Sequence, residues 1–265
     1  MIDSKIRKVV FSTSLKAGRE LYSRFDKFDR GEIRFKSGHE ILTQADLASE
    51  KIITQEIKKN FPDHRILSEE SGDTRKKSDY LWVVDPLDGT TNFSMHNPLW
   101  SVSIGLAYKQ DIILGIIYAP FLGELFWAEK GKGAKLYSPA EKKTSKKIKV
   151  SPNKGEQGIL NTFCHGSEEK EIKRALKYYK RQKLSHLDCR QLGSAAIELA
   201  FVASGRVESL VIPGAHPWDV AGGVLLVREA GGRVSDAKGE DWNLESRDML
   251  ASNSHVHDLI LKALN

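Results

Sequence analysis

Residues 82–93 read WVVDPLDGTTNF. An apolar run stops at Asp85, and then come Pro86, Leu87, a second carboxylate at Asp88, Gly89, and two hydroxyls at Thr90 and Thr91. Pro86 fixes its own φ and restricts the residue before it to an extended conformation, so the spacing predicts a buried strand with Asp85 at its tip. Gly89 permits a backbone bend that other residues resist, so both carboxylates can aim at one point while the Leu87 carbonyl joins them. Hard oxygen donors converging in this way suit Mg²⁺. Thr90 and Thr91 add hydroxyls and backbone N–H groups suited to a phosphate or a water. The same residues are also the ordinary vocabulary of turns, and DPLDG by itself equally closes a hairpin.

Working outward, the first half reads as hairpins preceded by helices. Apolar residues at Ile6, Val9, Val10, Leu21 and Phe25 predict a helix over residues 4–25, and a second is predicted over 44–60, capped by Thr43 and stopped before Pro62. Asp46 falls in its first turn, where the helix dipole favours a negative charge. The runs RILSEES, YLWVVD, LWSVSIGLAYK, DIILGIIYAP, GELFWAEKG and GAKLYS, joined by short Gly, Pro or Asp turns, predict a large antiparallel sheet. Past the lysine-rich AEKKTSKKIKV the rhythm changes to strand and helix in alternation, from GILNTFCHG to RVSD and MLASN, which implies a layered α/β half. The expected organisation is residues 1–145 and 146–265, packed as one compact unit.

Two further stretches bring carboxylates. In LSEES, Glu69 and Glu70 follow a short apolar run, and strand alternation sends only one of them toward a site; a charged strand end at the surface is the plainer alternative. In HPWDVAGGVLLVREAGG, Asp219 opens a helix, a place where an aspartate also simply stabilises its own helix.

Together, SEES, WVVDPLDGTTNF and HPWDVAGG resemble the inositol monophosphatase family of Mg²⁺-dependent, lithium-sensitive phosphatases, in order and spacing over essentially the whole chain. The resemblance implies an αβαβα layered sandwich of mixed α+β and α/β character, commonly a homodimer, with the site between the halves. It implies that Glu69, Asp85 and the Leu87 carbonyl hold one Mg²⁺, that Asp85, Asp88 and Asp219 hold a second, and that Glu69 also serves a third. Two ions activate the attacking water and stabilise the leaving oxygen. Glu69, Thr90 and Asp46 make up the implied catalytic set, in which Asp46 hydrogen-bonds Thr90 and the pair orients the water. Implied substrate contacts are Asp88, Gly89, Thr90, Thr91 and Asp219, with Gly193, Ser194 and Ala195 of RQLGSAA on the alcohol side; those last three also read as an ordinary helix entry.

Lys36 and Glu70 are expected just behind that set, and Ile212 marks a departure from the family. Animal-type members carry a glutamate seven positions before the last metal aspartate, where this chain has Ile212, which cannot accept hydrogen bonds from inositol hydroxyls. A broad activity toward sugar and polyol phosphates is therefore expected. Alternatives within the superfamily act on fructose 1,6-bisphosphate, NADP, nucleotides or histidinol phosphate. The nucleotide enzymes usually carry a lysine after DGT, where Thr91 stands here. A nonenzymatic RNA- or protein-binding factor is the alternative of a different class.

The whole-chain properties agree with a globular protein. The chain has 265 residues, a net charge of +6 and two cysteines, Cys164 and Cys189, neither in a CxxC pair, so a reduced cytoplasmic compartment is expected. The start is charged and no apolar run is long enough to span a bilayer. Lysines cluster in residues 140–150 and 170–183 with few aromatics between them, which fits solvated faces better than a nucleic-acid site. The expected partner is a small phosphorylated substrate.

Overall fold

Two caps set the entry of the first helices. The computed structural model describes residues 2–35, 41–140, 145–155 and 158–265. In helix α1 (Ser4–Phe25) the Asp3 carboxylate accepts from the Lys5 N–H, and buried Ile6, Val10, Ala17, Leu21 and Phe25 form one stripe. Two short strands, β1 (Arg34–Phe35) and β2 (Ile41–Leu42), pair antiparallel and lead into α2 (Gln44–Asn60). Its cap is reciprocal: Thr43 accepts from the helix while Asp46 accepts from the Thr43 backbone.

Then follow β3 (Arg65–Ser68), β4 (Gly72–Asp73), β5 (Tyr80–Asp88), the single-turn helix α3 (Thr90–Ser94), β6 (Ser101–Tyr108), β7 (Asp111–Ala119), β8 (Glu124–Glu129), β9 (Ala134–Tyr137) and β10 (Lys146–Lys147). These form an eight-stranded sheet in the order β10-β9-β8-β7-β6-β5-β3-β4. All neighbours run antiparallel except β3 and β5, which are parallel because residues 69–79 carry the chain back to the same end of the sheet. Strand β5 does not end at Asp85 as its sequence predicts. It continues to Asp88 through a bulge, with Asp85 opposite Ser103 and Asp88 opposite Ser101, so three steps on one strand match two on the other.

The second half supplies β11 (Leu160–Phe163), α4 (Glu169–Leu184), β12 (Asp188–Arg190), α5 (Ala195–Ala203), β13 (Ser209–Pro213), α6 (Pro217–Glu229), β14 (Arg233–Ser235), β15 (Asp248–Ser252) and α7 (His257–Leu264). Its five strands order as β12-β11-β13-β15-β14, parallel across the first three and antiparallel at β15. Helix α7 is absent from the sequence expectation; its apolar stripe of Ile260 and Leu264 is too short to stand out until it meets the sheet.

Three cores account for the five layers. Trp82, Val84, Ile104 and Leu106 pack with α1 and α2 on one face of the large sheet. Val83, Ala107 and Phe126 face the opposite way, onto α5 and α6, whose other side meets Leu210, Ile212 and Ala251 of the second sheet. Phe163, Val211 and Leu250 pack outward onto α4 and α7. The order is α, β, α, β, α, as the sequence resemblance implies. Helix α6 sits unusually close to the large sheet: a Cβ on Gly115 would lie 2.2 Å from the Gly222 carbonyl oxygen, so only glycine fits there. Among the described residues no helix is long and apolar enough to cross a membrane.

Candidate active site

The bulge in β5 turns both of its carboxylates inward. Asp85 and Asp88 are 2% and 6% exposed, and such buried carboxylates need partners. Asp85 accepts from the Leu87 N–H at 3.1 Å and is hydrogen-bonded to Glu69. Asp88 accepts from the amides of Ala195 at 3.0 Å and Ala196 at 3.2 Å, from the Ser101 hydroxyl at 3.2 Å and, very closely, from the Ser194 hydroxyl. Gly89 follows at φ 85°, in the left-handed region, with the Leu99 carbonyl oxygen 2.9 Å from where a Cβ would sit.

Each remaining acid comes from a different element. Glu69 lies in the turn just past β3 rather than on the strand, and Glu70 follows it there. That turn is held by buried Glu50 of α2, which accepts from the Ser68 hydroxyl and from the Ser71 N–H at 2.9 Å. Asp219 is the third residue of α6, and its carboxylate accepts from the His216 N–H at 2.8 Å. The ring of Trp218 stacks on His216 with centroids 4.6 Å apart.

Electrostatics show that these acids share one space. The Asp85 carboxyl is held well above the usual carboxylate range by burial first, and then by the neighbouring charges of Glu69, Asp88 and Asp219. Asp88 is pushed up to about 6 by burial, against the pull of its Ser194, Ala196 and Ser101 donors. Among the described residues, no three His, Cys, Asp or Glu side chains stand as a ready-made metal cage. Asp85, Asp88 and Asp219 are instead turned to local N–H donors. The donor set nevertheless fits a hard cation: four carboxylates and a carbonyl, all oxygen, whose mutual repulsion a cation relieves.

Beside the acids stands a hydroxyl pair. The Thr90 Oγ1 lies 3.0 Å from Asp46 Oδ1 and 3.0 Å from the Leu87 carbonyl oxygen. Asp46 is fully buried, and its other oxygen accepts from the Thr43 N–H at 2.8 Å and the Thr43 hydroxyl at 2.6 Å. Burial raises its pKa to about 6 despite these donors. The backbone N–H groups of Thr90, Thr91 and Asn92 open helix α3 and have no partner within it.

These groups border two adjoining clefts. One, of about 510 Å³, is lined by Glu69, Thr91, Cys164, Gly193, Ile212 and Asp219 among others. The other, of about 570 Å³, is lined by Glu69, Gly89, Thr90, Thr91 and Gly193 among others. Glu69, Asp85, Asp88, Asp219, Thr90 and Asp46 are thus brought together, and Gly193, Ala195 and Ile212 reach the cleft wall. Ser194 does not: it is 1% exposed and faces Asp88. Lys36 lies outside the described residues.

Several participants escape the sequence reading. Asn92 donates to the Leu99 carbonyl at 2.7 Å and the Leu192 carbonyl at 2.8 Å, tying the two halves together beneath the site. Glu198 is fully buried, accepts from three donors and is pushed up to about 7 by that burial. His165 and Trp218 stand on the cleft wall. Only the neighbouring motif residues hinted at Asn92; Glu198 sits inside an apolar helical run with no distinguishing signal.

Comparison with known proteins adds an independent line. The model of the inositol monophosphatase family matches residues 3–265. The fructose-1,6-bisphosphatase/inositol-1-monophosphatase of Thermotoga maritima is 35% identical over 226 residues, covering 85% of this chain and 83% of that protein. The Nus factor SuhB of Pasteurella multocida is 35% identical over 260 residues, covering 97% of this chain and 94% of its own length. The crystal structure of the extragenic suppressor protein suhB from Bartonella henselae superposes with a TM-score of 0.89 at 31% identity, covering 99% of both chains.

Proposed function

The chain belongs to the inositol monophosphatase family, and from that premise we propose that it is a Mg²⁺-dependent phosphate monoester hydrolase of the inositol-1-monophosphatase type, broad toward compact sugar and polyol phosphates. The observation that carries this reading is the meeting of Glu69, Asp85, Asp88 and Asp219, from three separate segments, beside the Thr90–Asp46 pair. Four acids at one point repel a phosphate, so the pocket is intelligible only with cations.

Glu69, Asp85, the Leu87 carbonyl, Asp88 and Asp219 would hold two to three Mg²⁺ ions. When bound, these supply positive charge for the phosphate oxygens and lower the pKa of water. The chain's own groups do the rest. Thr90 donates its single proton to Asp46 or to the Leu87 carbonyl, and its lone pairs then face the cleft as an acceptor that orients a water. The amides of Gly89, Thr90 and Thr91 would donate to phosphate oxygens. Gly193, Ala195 and Ile212 line the alcohol side, and the apolar wall at Ile212 discriminates weakly among hydroxyl patterns. A homodimer, a cytoplasmic location and lithium sensitivity belong to the same reading.

The test is phosphate release with Mg²⁺, with and without lithium, from inositol 1-phosphate, glycerol 2-phosphate, fructose 1,6-bisphosphate, NADP and adenosine 3′,5′-bisphosphate. Turnover of the first three within about tenfold of one another in kcat/KM is expected, a spread of about 1.4 kcal/mol. Asp219→Asn should abolish most of it. A hundredfold preference for any one substrate removes the broad specificity, and undiminished turnover by Asp219→Asn removes the metal assignment. The name Nus factor, borne by a relative, brings up a nonenzymatic role, which the absence of any phosphate release would favour.

A further inference from the structure

Behind the cleft wall lies a carboxylate with no place in the chemistry above. Glu198, in the first turn of α5, is 0% exposed. Its Oε1 accepts from the Leu192 N–H at 3.1 Å, the Gly193 N–H at 3.1 Å and the Cys164 thiol at 3.2 Å. Its Oε2 has no hydrogen-bond partner among the described residues, although the neighbouring Thr162 hydroxyl eases its charge. A buried carboxylate so incompletely satisfied costs stability and is expected where its geometry serves something else.

What it holds is the turn that builds the site. Gly193 stands at φ 78° and lines both clefts. From the other side, Asn92 clamps the Leu192 carbonyl at 2.8 Å. The residues immediately after this doubly clamped turn, Ser194, Ala195 and Ala196, are the donors that orient Asp88. Cys164 ties the same carboxylate to the end of β11 and lies on the cleft wall.

We infer that Glu198 is a positioning residue: its Oε1 fixes the Leu192–Gly193 turn against Cys164, and through it the alcohol-side wall and the orientation of Asp88. This rests on the phosphatase reading of the site, and it concerns acceptor geometry, not the charge of Glu198. The reach of the side chain is therefore decisive. Glutamine keeps an oxygen at the same distance without the charge; aspartate keeps the charge but is one methylene too short.

The test compares Glu198→Gln, Glu198→Asp and Glu198→Ala, each in full-length protein carrying Cys189→Ser so that Cys164 is the single thiol. Three quantities are measured: KM and kcat for glycerol 2-phosphate, Mg²⁺ affinity by calorimetry without substrate, and the rate of Cys164 labelling by a disulfide reagent. Glu198→Gln should stay within about threefold of the parent in KM, kcat and Mg²⁺ affinity. Glu198→Asp and Glu198→Ala should raise KM and weaken Mg²⁺ binding by about tenfold, a 1.4 kcal/mol effect, with kcat reduced much less. They should also speed labelling at least about fivefold as the thiol loses its acceptor. If Glu198→Ala does not fold, the contrast between glutamine and aspartate decides. Equal behaviour of those two variants, or impairment of glutamine alone, overturns the inference, as does a loss of kcat with KM and Mg²⁺ affinity unchanged. Should the parent release no phosphate, the phosphatase reading fails, while Mg²⁺ affinity and labelling still report on the positioning.

Discussion

Thr90 shows how much one hydroxyl depends on its neighbours. It has one proton and two acceptors at 3.0 Å, Asp46 Oδ1 and the Leu87 carbonyl, so whichever it chooses, its oxygen remains available to a water in the cleft. Asp46 is itself fixed by two donations from Thr43, the residue that caps its own helix. The same carboxylate thus closes a helix cap and holds Thr90; the cap is read from adjacent residues, whereas the contact with Thr90 spans 44 positions of the chain. An orienting group matters chiefly in the transition state, so Thr90→Ala should lower kcat by roughly tenfold to a hundredfold while KM moves less than about threefold, and Thr90→Ser should recover most of the loss. Steady-state kinetics at saturating Mg²⁺ check this; a rise in KM with kcat preserved would make Thr90 a substrate-binding group instead.

At the scale of elements, the position of Asp219 is decided by how closely α6 lies on the large sheet. Gly105 and Gly115 on adjacent strands leave room for Ala221 and Gly222, and the Gly222 carbonyl approaches so near that a methyl group on Gly115 would overlap it. Gly115→Ala should therefore push α6 outward and destabilise the fold by about 1–3 kcal/mol through overpacking. Because the helix carries Asp219 on its first turn, the same variant should also weaken Mg²⁺-dependent turnover. Thermal melting with and without Mg²⁺, alongside phosphate release, tests both effects; an unchanged melting temperature would mean that the helix can yield without cost.

For the whole molecule, one buried histidine sets a pH limit that is independent of the site. His257 is fully buried at the start of α7, with Nδ1 2.8 Å from the Ser252 hydroxyl and Nε2 2.9 Å from the Ser235 hydroxyl. Burial, and secondarily Arg233, lowers its pKa from 6.5 to about 4, with Asp258 opposing. The folded protein therefore binds fewer protons here than the unfolded chain between pH 6.5 and 4. The contribution is complete above 6.5 and is lost as the pH falls toward 4, about 1–2 kcal/mol between pH 7 and 5. The buried carboxylates of Asp46 and Glu198, whose pKa values are raised, act in the opposite sense. The comparison is therefore between the parent and His257→Gln: denaturant melts should show the parent losing that much more stability over the interval, and parallel pH profiles would refute it.

The sequence by itself determined most of the elements and, through its motifs, the family. Helices α1 and α2 run over the residues that their apolar spacing and caps predict, because those signals are local. Asp85, Asp88 and Asp219 stand beside Pro86, Gly89 and Trp218 at strand or helix ends, and with Glu69 of SEES they were legible through the combination of the three motifs, since each motif alone has a plainer structural reading. Tertiary structure alone decided what depends on distant contacts. The parallel pairing of β3 with β5 and the extension of β5 to Asp88 follow from register with neighbouring strands. The inward turn of Ser194 follows from the proximity of Asp88, 106 residues away in the chain. The role of Asn92 arises only once two halves of the chain meet, and that of Glu198 once α5 folds back on its own entry turn and on Cys164, 34 residues before it, since such contacts leave no periodicity behind.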